Sequence, residues 1–382
     1  MNPVGIRSLA VKFPSTIRTN DFFRSTYPDV VKAAEEKSVR HVYIAADAPV
    51  SDHPFDIEMR PFLRDPFIGA VERRWLGPGE SGLTLALDAA RDALNAADMA
   101  AEDVDLLIAC SFPGESLVIN DAAYLAEHLE LRGAAFNVES TCAGTLVALQ
   151  TAASLVQSGA YRNALVVVSA DNSRFTDESD SRFWFLADGA GAFIIAPTSP
   201  GIGLLGTKLV HTAETCHSLF FAQDTNPNGE PNIRLRAGPG SGKALRDHTI
   251  PVLRRCCLGA VEAAGIQLSD IDFFVFNTPA AWFHTFAARV LDVDPAKTLT
   301  TFPLYANIGC ALTTANLYHA ARDNLIRNGS LVLVFAIGSV GSAGAAVMRW
   351  GDVFLGPPPA PPSCMAIHSQ TEPLKARALE KA

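Results

Sequence analysis

LTLALDAARDALNAADMAAEDVDLLIACSF, residues 83–112, and TIPVLRRCCLGAVEAAGIQLSDIDFFVFNTP, residues 249–279, read alike. In each, apolar residues recur at helical spacing, an acidic turn follows, and a short apolar run predicts a buried strand. The acidic pairs are Asp103 with Asp105 and Asp270 with Asp272. A second pair follows in the same order. STCAGTLVALQTAASLVQSGAYRNALVVVSAD spans 140–171, and YANIGCALTTANLYHAARDNLIRNGSLVLVFAIG spans 305–338. Each has a small-residue turn, an Ala- and Leu-rich helix, a polar loop and a strand. A strand rich in small residues then closes each copy, GAGAFIIAP from Gly189 and GSAGAAVMRW from Gly341. Simple alternation of helix and strand does not supply matching acidic turns and matching glycine-rich final strands. The predicted fold class is therefore α/β, with two duplicated halves, each a mixed sheet covered by helices.

The halves divide near Ser199–Gly201, giving 1–200 and 201–355. Residues 20–80 carry few regular signals and read as an extended insertion in the first half or a cap on the substrate side. Residues 356–382 are Pro-rich and then charged, which predicts a mobile tail. The stretch 210–248 reads as an irregular linker.

A length of 382 residues suits two packed halves, and 48% hydrophobic residues suffice for a large core. The net charge of -9 argues against nucleic-acid binding, which needs a basic stripe. A local pair such as Arg73–Arg74 leaves an acidic partner surface open. Seven scattered cysteines fit no zinc spacing, so no metal is expected, and a reduced, cytoplasmic setting is. The N-terminal MNPVGIRSLAVKFPSTIR lacks an apolar core of signal-peptide length. The longest apolar runs, such as LVLVFAIG, suit buried strands and not membrane spans.

Chemistry concentrates at Ser140-Thr141-Cys142-Ala143-Gly144. A buried strand, AAFNV, leads in and a long helix leads out, so Cys142 stands at a helix start. Free amides and the positive end of the helix dipole there favour a thiolate. The Cys142 N–H also faces the oxygen of a bound acyl group, and Ala143 and Gly144 leave room for a thioester. Cys110 and Cys310 sit in apolar stretches and read as core. Gly238 to Lys243, GPGSGK, lacks phosphate-loop spacing and reads as a flexible loop. Trp75 and Arg74 are candidates for stacking on an adenine and meeting phosphates. Asp188 is assigned to turn chemistry.

Five segments together resemble the thiolase superfamily, and within it the β-ketoacyl-acyl carrier protein synthase III branch. They are STCAG, FLADGAGAFII from Phe185, DFFVFNTPAAWF from Asp272, YANIGCAL from Tyr305 and the turn from Gly338 to Gly344. The resemblance covers residues 4–350. It implies a thiolase-like fold with five αβαβα layers and a homodimer. It implies transfer of an acyl group to Cys142 from a coenzyme A or acyl carrier protein thioester, followed by attack of a carbon nucleophile. Coenzyme A or phosphopantetheine enters as substrate, and no resident cofactor is implied. Asn307 matches the family's asparagine, whose amide holds the second thioester's oxygen as it gains enolate charge. The backbone amides of Cys142, Gly338 and Ser339 match the other oxyanion hole.

The family's histidine falls on Asn277. An asparagine donates a hydrogen bond but shuttles no proton. Either Asn277 and Asn307 act as paired donors for a decarboxylation, or another group takes the proton. Glu115, in Phe-Pro-Gly-Glu-Ser, is one candidate base. His284 is another, though it lies roughly ten ångströms further along a helix axis. His211, His217 and His248 are weaker candidates. Two other functions stand beside condensation. One is acyl transfer to a hydroxyl or amine, and the other is a non-catalytic partner subunit of a heteromeric synthase.

Overall fold

This computed structural model describes residues 2–46, 51–115, 121–225, 228–229 and 231–362, with the side chains of 38–46 excepted. The first half contributes strands β1 (Val4–Lys12), β2 (Thr16–Thr19), β3 (Glu72–Trp75), β4 (Leu106–Phe112), β5 (Ala134–Asn137), β6 (Ala164–Asp171) and β7 (Asp188–Pro197). The second contributes β8 (Gly203–His211), β9 (Leu219–Thr225), β10 (Pro231–Ala237), β11 (Phe273–Phe276), β12 (Leu331–Ile337), β13 (Ser342–Arg349) and β14 (Phe354–Leu355). The helices of the first half are α1 (Asn20–Thr26), α2 (Pro28–Ala46), α3 (Pro54–Met59), α4 (Gly82–Ala96), α5 (Asp121–His128) and α6 (Gly144–Gln157). Those of the second are α7 (Ser241–Ala264), α8 (Phe283–Leu291), α9 (Phe302–Tyr305) and α10 (Ala311–Arg322).

One sheet runs β14-β1-β7-β6-β4-β5 and another runs β11-β12-β13-β8. Within the first, β1-β7-β6-β4 are joined antiparallel, antiparallel and parallel. Within the second, β8-β13-β12-β11 are joined in the same three ways. The sequence echo is thus a structural duplication, with α4 answering to α7 and α6 to α10.

The layers follow from burial. Helix α4 covers the outer face of the first sheet around Leu85, Ala89, Ala93 and Leu107. Helices α7 and α8 cover the outer face of the second around Leu253, Cys257, Phe276 and Phe286. Between the sheets lie α6 and α10, and every residue of α10 from Ala311 to Ala320 is buried. A helix apolar or small on all sides belongs in such a sandwich. Each fully buried Leu or Val in this seam contributes about 1.5–3 kcal/mol. Small residues let the layers close. A Cβ on Gly191 of β7 would stand 2.5 Å from the Thr314 methyl of α10. The five-layer expectation holds. Among the described residues no helix is long and apolar enough to cross a membrane.

Several expectations are corrected. The segment 20–80 is largely regular. Thr19 Oγ1 caps α1 by accepting from Phe22 N–H at 3.2 Å, and β3 pairs with β2. Phe23, Phe67, Trp75 and Trp184 fill the space beneath, with Arg73 lying over the Phe23 ring at 4.8 Å. Helix α3 crosses to the other half, where Phe55 meets Trp282 and Asp56 pairs with Arg246 at 2.6 Å. The interleaved aromatic spacing hid this order, because these residues pack on one another and not on a sheet. The stretch 210–248 is a β9–β10 hairpin followed by the start of α7. Gly240, at φ +73°, ends the GPGSGK turn, and α7 begins at the next residue. The described part of the tail, residues 356–362, packs on the fold. Gly356 N–H donates to Leu9 O at 2.9 Å, and Tyr318 O–H donates to Gly356 O at 2.9 Å. The charged end of the expected tail lies outside the described residues.

Candidate active site

The chain leaves β5, makes one 3-10 turn over Thr141–Ala143, and enters α6. Strand β5 is a sheet edge with Ala134 and Ala135 exposed, not the buried strand expected. Thr141 sits at φ +48°, a left-handed conformation that a β-branched residue rarely takes. Two neighbours hold it there. Its N–H donates to Glu139 Oε1 at 2.5 Å, and the Ala143 N–H donates to Ser140 O at 3.1 Å.

Cys142 is half-buried. Burial pushes its thiol up to about 12, the negative charge of Glu139 and then Cys110 add to this, and its own backbone N–H opposes them weakly. Loss of solvation thus opposes the thiolate that the helix start favours. To act as a nucleophile, Cys142 would need a proton acceptor.

The starts of α6 and α10 lie side by side. Thr145 Oγ1 donates to Cys310 O at 2.6 Å, and a Cβ on Gly144 would stand 2.1 Å from Cys110 Sγ and 3.6 Å from Cys310 Cβ. Asn307, three residues before Cys310, is brought to the same end of the sandwich. Its backbone bridges to the first half, with Asn307 N–H on Phe185 O at 2.8 Å and Ala187 N–H on Asn307 O at 2.9 Å. Its Oδ1 accepts from Gly309 N–H at 2.9 Å. That bond fixes the amide so that Nδ2, with no partner among the described residues, is the free donor.

Asn277 follows β11 and is fully buried. Its Nδ2 donates to Gly309 O at 3.1 Å and to Thr313 Oγ1 at 3.4 Å, while Oδ1 finds no partner. The expectation of two free amide donors is corrected to one, since the Asn277 donor is already used. Asn277 instead braces Gly309, whose N–H orients Asn307.

The β12–β13 turn closes on the Cys142 turn from the second half. Gly338 N–H donates to Ser342 O at 2.8 Å, so it is not an oxyanion donor as expected. Gly338 O accepts from Thr212 Oγ1 at 2.7 Å. The N–H groups of Ser339 and its neighbour Val340 have no acceptor among the described residues and remain available for that role.

Neither expected replacement base stands free beside the thiol. Glu115 pairs with Arg174 at 3.3 Å, and its N–H is held by Asp121 Oδ1 at 3.1 Å. Arg174 also binds the buried Asp171 at 2.6 Å. His284 is on α8 in the outer layer, facing Glu58 of α3; burial lowers its pKa and its Nδ1 is unpartnered. His211 is exposed and accepts from Ala213 N–H at 3.3 Å, while His217 is exposed and His248 lies on α7. Arg74 and Trp75 are not a coenzyme surface. Both are buried: Arg74 donates to Pro361 O at 3.2 Å and Trp75 Nε1 to Leu186 O at 3.0 Å. Asp188 does serve a turn, taking the N–H groups of Leu76 at 2.7 Å and Ser173 at 2.8 Å.

Sequence reading missed Glu139, although it directly precedes the STCAG run. It also missed His319 on α10, buried against Tyr305 at 5.4 Å and pushed by burial down to about 4. Nothing in a single sequence separates that histidine from a surface one.

Two family descriptions match, 3-oxoacyl-[acyl-carrier-protein] synthase III over residues 136–213 and its C-terminal domain over 261–350. A β-ketoacyl-[acyl-carrier-protein] synthase III of Rhodospirillum rubrum is 32% identical over 290 residues, 74% of this chain and 88% of the relative. One from a Bradyrhizobium species is 30% identical over 295 residues, again 74% and 88%. In the solved structures, 3-oxoacyl-(acyl carrier protein) synthase III of Pseudomonas aeruginosa superposes with a TM-score of 0.74 at 20% identity, covering 92% of this chain and 99% of that one. OleA of Xanthomonas campestris superposes at 0.71 with 19% identity, covering 91% and 98%. The duplicated sheets, the Cys142 turn and these similarities converge: the chain belongs to the β-ketoacyl-acyl carrier protein synthase III family of the thiolase superfamily.

Proposed function

We propose that the protein is a ketosynthase-III-like enzyme that joins acyl thioesters by Claisen-type condensation, with Cys142 carrying the acyl group. The observation that carries this is the pairing of the starts of α6 and α10, which follow the Cys142 turn and the oriented Asn307 amide. Cys142 takes an acyl group from a coenzyme A or acyl carrier protein thioester. The amides of Cys142 and of the Ser339–Val340 turn receive the oxygen of that acyl group. Asn307 Nδ2 receives the oxygen of the second thioester as carbon-bound charge develops. A homodimer in a specialised polyketide or fatty-acid-derived pathway, working in the cytoplasm, completes the reading.

A second reading is transfer of the acyl group to a hydroxyl or amine. Commitment of the Asn277 Nδ2 to Gly309 O favours it, because an enolate would meet one side-chain donor and not two.

The test is intact mass after incubation with acetyl-, hexanoyl- and palmitoyl-coenzyme A. One acyl group on the wild type and none on C142A is expected. No adduct with any thioester, coenzyme A-linked or carrier-linked, sinks the proposal. Labelled carbon dioxide released from a malonyl thioester by the loaded enzyme supports condensation by decarboxylation. A competent acyl-enzyme without release favours a hydroxyl, amine or preformed carbon acceptor.

A further inference from the structure

The direction of the Asn307 amide is set from two ends. Downstream, Gly309 N–H holds its Oδ1 at 2.9 Å. Upstream, the chain reaches Asn307 through Ala306, which stands at φ +54° and ψ -153°. That conformation borders a region that essentially only glycine occupies, because a Cβ there crowds the backbone. Such a residue persists only where its surroundings over-determine it.

The backbone is pinned on both sides of Ala306. Before it, Tyr305 N–H donates to Thr301 O at 3.0 Å and Ala306 N–H to Phe302 O at 2.7 Å. After it, Asn307 N–H donates to Phe185 O at 2.8 Å, and Ala187 N–H donates to Asn307 O at 2.9 Å. Helix α9 has four residues, too few to hold its own place. Val71 N–H ties Pro303 O near its start at 2.8 Å. Its last residue is held by a ring. Tyr305, 1% exposed, lies face to face with Phe13, with centroids 3.9 Å apart and planes 5° from parallel. Phe13 directly follows β1, so the stack joins α9 to the first half. Strand β7 closes on the same ring, because a Cβ on Gly189 would stand 3.3 Å from Phe13 Cδ1 and 3.2 Å from Ile308 Cδ1.

We infer that Phe13 and Tyr305 are positioning residues for Asn307: their stack anchors the end of α9 and holds Ala306 in the strained conformation that aims the Asn307 amide. The inference rests on the reading of Asn307 as the amide that receives the oxygen of the second thioester. Without the stack, Ala306 relaxes and Asn307 swings, whereas the Cys142 turn, which contains neither ring, keeps its shape. Loading then proceeds and the step after it slows. Glycine takes the Ala306 conformation unaided, so in an Ala306→Gly background the stack has less to hold. A ring that served only the general stability of the fold would give independent, additive losses instead.

Phe13→Leu keeps an apolar side chain and removes the ring. Its acylation by hexanoyl-coenzyme A, read by intact mass, is expected to stay within about twofold of wild type. Release of labelled carbon dioxide from malonyl-coenzyme A by the loaded enzyme is expected to fall by about 10- to 100-fold. Tyr305→Leu should show the same division, and Tyr305→Phe, which retains the ring, should keep the rate within about threefold. Adding Ala306→Gly to Phe13→Leu is expected to bring release back to within about fivefold of Ala306→Gly alone. Hydrogen exchange supplies a readout that needs no turnover. The amides of residues 301–310 are expected to exchange about tenfold faster in Phe13→Leu, and this gain should shrink when Ala306→Gly is added. Equal loss of loading and release, or additive losses in the double variant, overturns the inference. A wild type that loads hexanoyl but releases no carbon dioxide fails decarboxylative condensation instead. The exchange arm then decides this one: unchanged protection of residues 301–310 in Phe13→Leu means that the stack does not hold the Asn307 segment.

Discussion

Gly338 lies so close to Thr141 that a Cβ built on it would stand 2.1 Å from the Thr141 hydroxyl and 2.7 Å from Ser140 O. The contact crosses the pseudo-symmetric seam. The β12–β13 turn of the second half presses on the Cys142 turn of the first, at the residue whose φ is +48°. Gly338 thus helps to hold a conformation that the chain alone disfavours. Backbone cannot yield as the end of a flexible side chain can. Gly338→Ala is therefore expected to shift the Thr141–Ala143 turn and to slow acylation of Cys142 by about 10- to 100-fold, since misplacement of about 1 Å has that scale of effect. The fold should remain, with about 1–3 kcal/mol lost to overpacking. Stopped-flow acylation beside a urea melt checks both halves of the statement. Wild-type acylation would show that the turn is not set by this contact.

Asn277 and Asn307 are linked through one residue, Gly309. Asn277 Nδ2 holds Gly309 O, and Gly309 N–H holds Asn307 Oδ1. Removing the first amide frees the second. Asn277→Ala is expected to cost about 1–3 kcal/mol of stability, the usual penalty for a buried carbonyl left without its donor. It should slow the step after loading while leaving acylation of Cys142 within about twofold, because acylation does not use the Asn307 amide. Asn307→Ala should show the same division with little change in stability. The measurement is acyl-enzyme formation by mass against product formation from a second thioester. Equal loss of both steps in Asn277→Ala would contradict the division.

The architecture was legible because duplication writes itself twice. The acidic turns before β4 and β11 and the glycine-rich β7 and β13 mark equivalent places in the two sheets. The position of Cys142 was legible because a strand, a small-residue turn and a helix are local features. What failed was non-local. Arg74 and Trp75 look like surface residues in sequence, yet the aromatic cap and residues 356–362 bury them. The burial that raises the Cys142 thiol is not visible in sequence, whereas its helix start is. The partner of the Asn277 donor, Gly309, comes from a segment 32 residues away.

Arg74 gives a prediction about the Pro-rich segment. Its guanidinium is 3% exposed and donates to Pro361 O at 3.2 Å and, at the outer limit, to Ala360 O at 3.5 Å. Gly356 also holds Tyr318 and Leu9. A chain ending at Leu355 leaves a buried cation and a buried phenol without these acceptors. Its unfolding free energy is expected to fall by about 1–3 kcal/mol relative to a chain ending at Pro362. Urea melts of the two chains decide the matter. Identical midpoints would mean that the segment contributes nothing.

Asp171 gives a prediction about the pH dependence of stability. It is 1% exposed, and its Oδ1 has no partner. Burial raises its pKa from 3.8 to about 7, against the opposing pull of Arg174 and with further help from Asp188 and Glu115. Asp188 behaves in the same sense, raised by burial to about 6. In the unfolded chain both carboxyls release their protons near the ordinary value. Between that value and about 7 the folded protein holds a proton that the unfolded chain has given up. Each rise in pH through this window therefore favours unfolding. The contribution of these groups is fully present below about pH 4 and lost as the pH passes 7. Asp171→Asn removes the penalty of ionising a buried carboxyl while Arg174 keeps Glu115. The variant is expected to be more stable than wild type by about 1–3 kcal/mol at pH 8, a margin that shrinks toward pH 5. Denaturant melts at these two pH values test it. A margin that grows on acidification would mean that Asp171 is ionised in the folded protein and that its bond to Arg174 outweighs its burial.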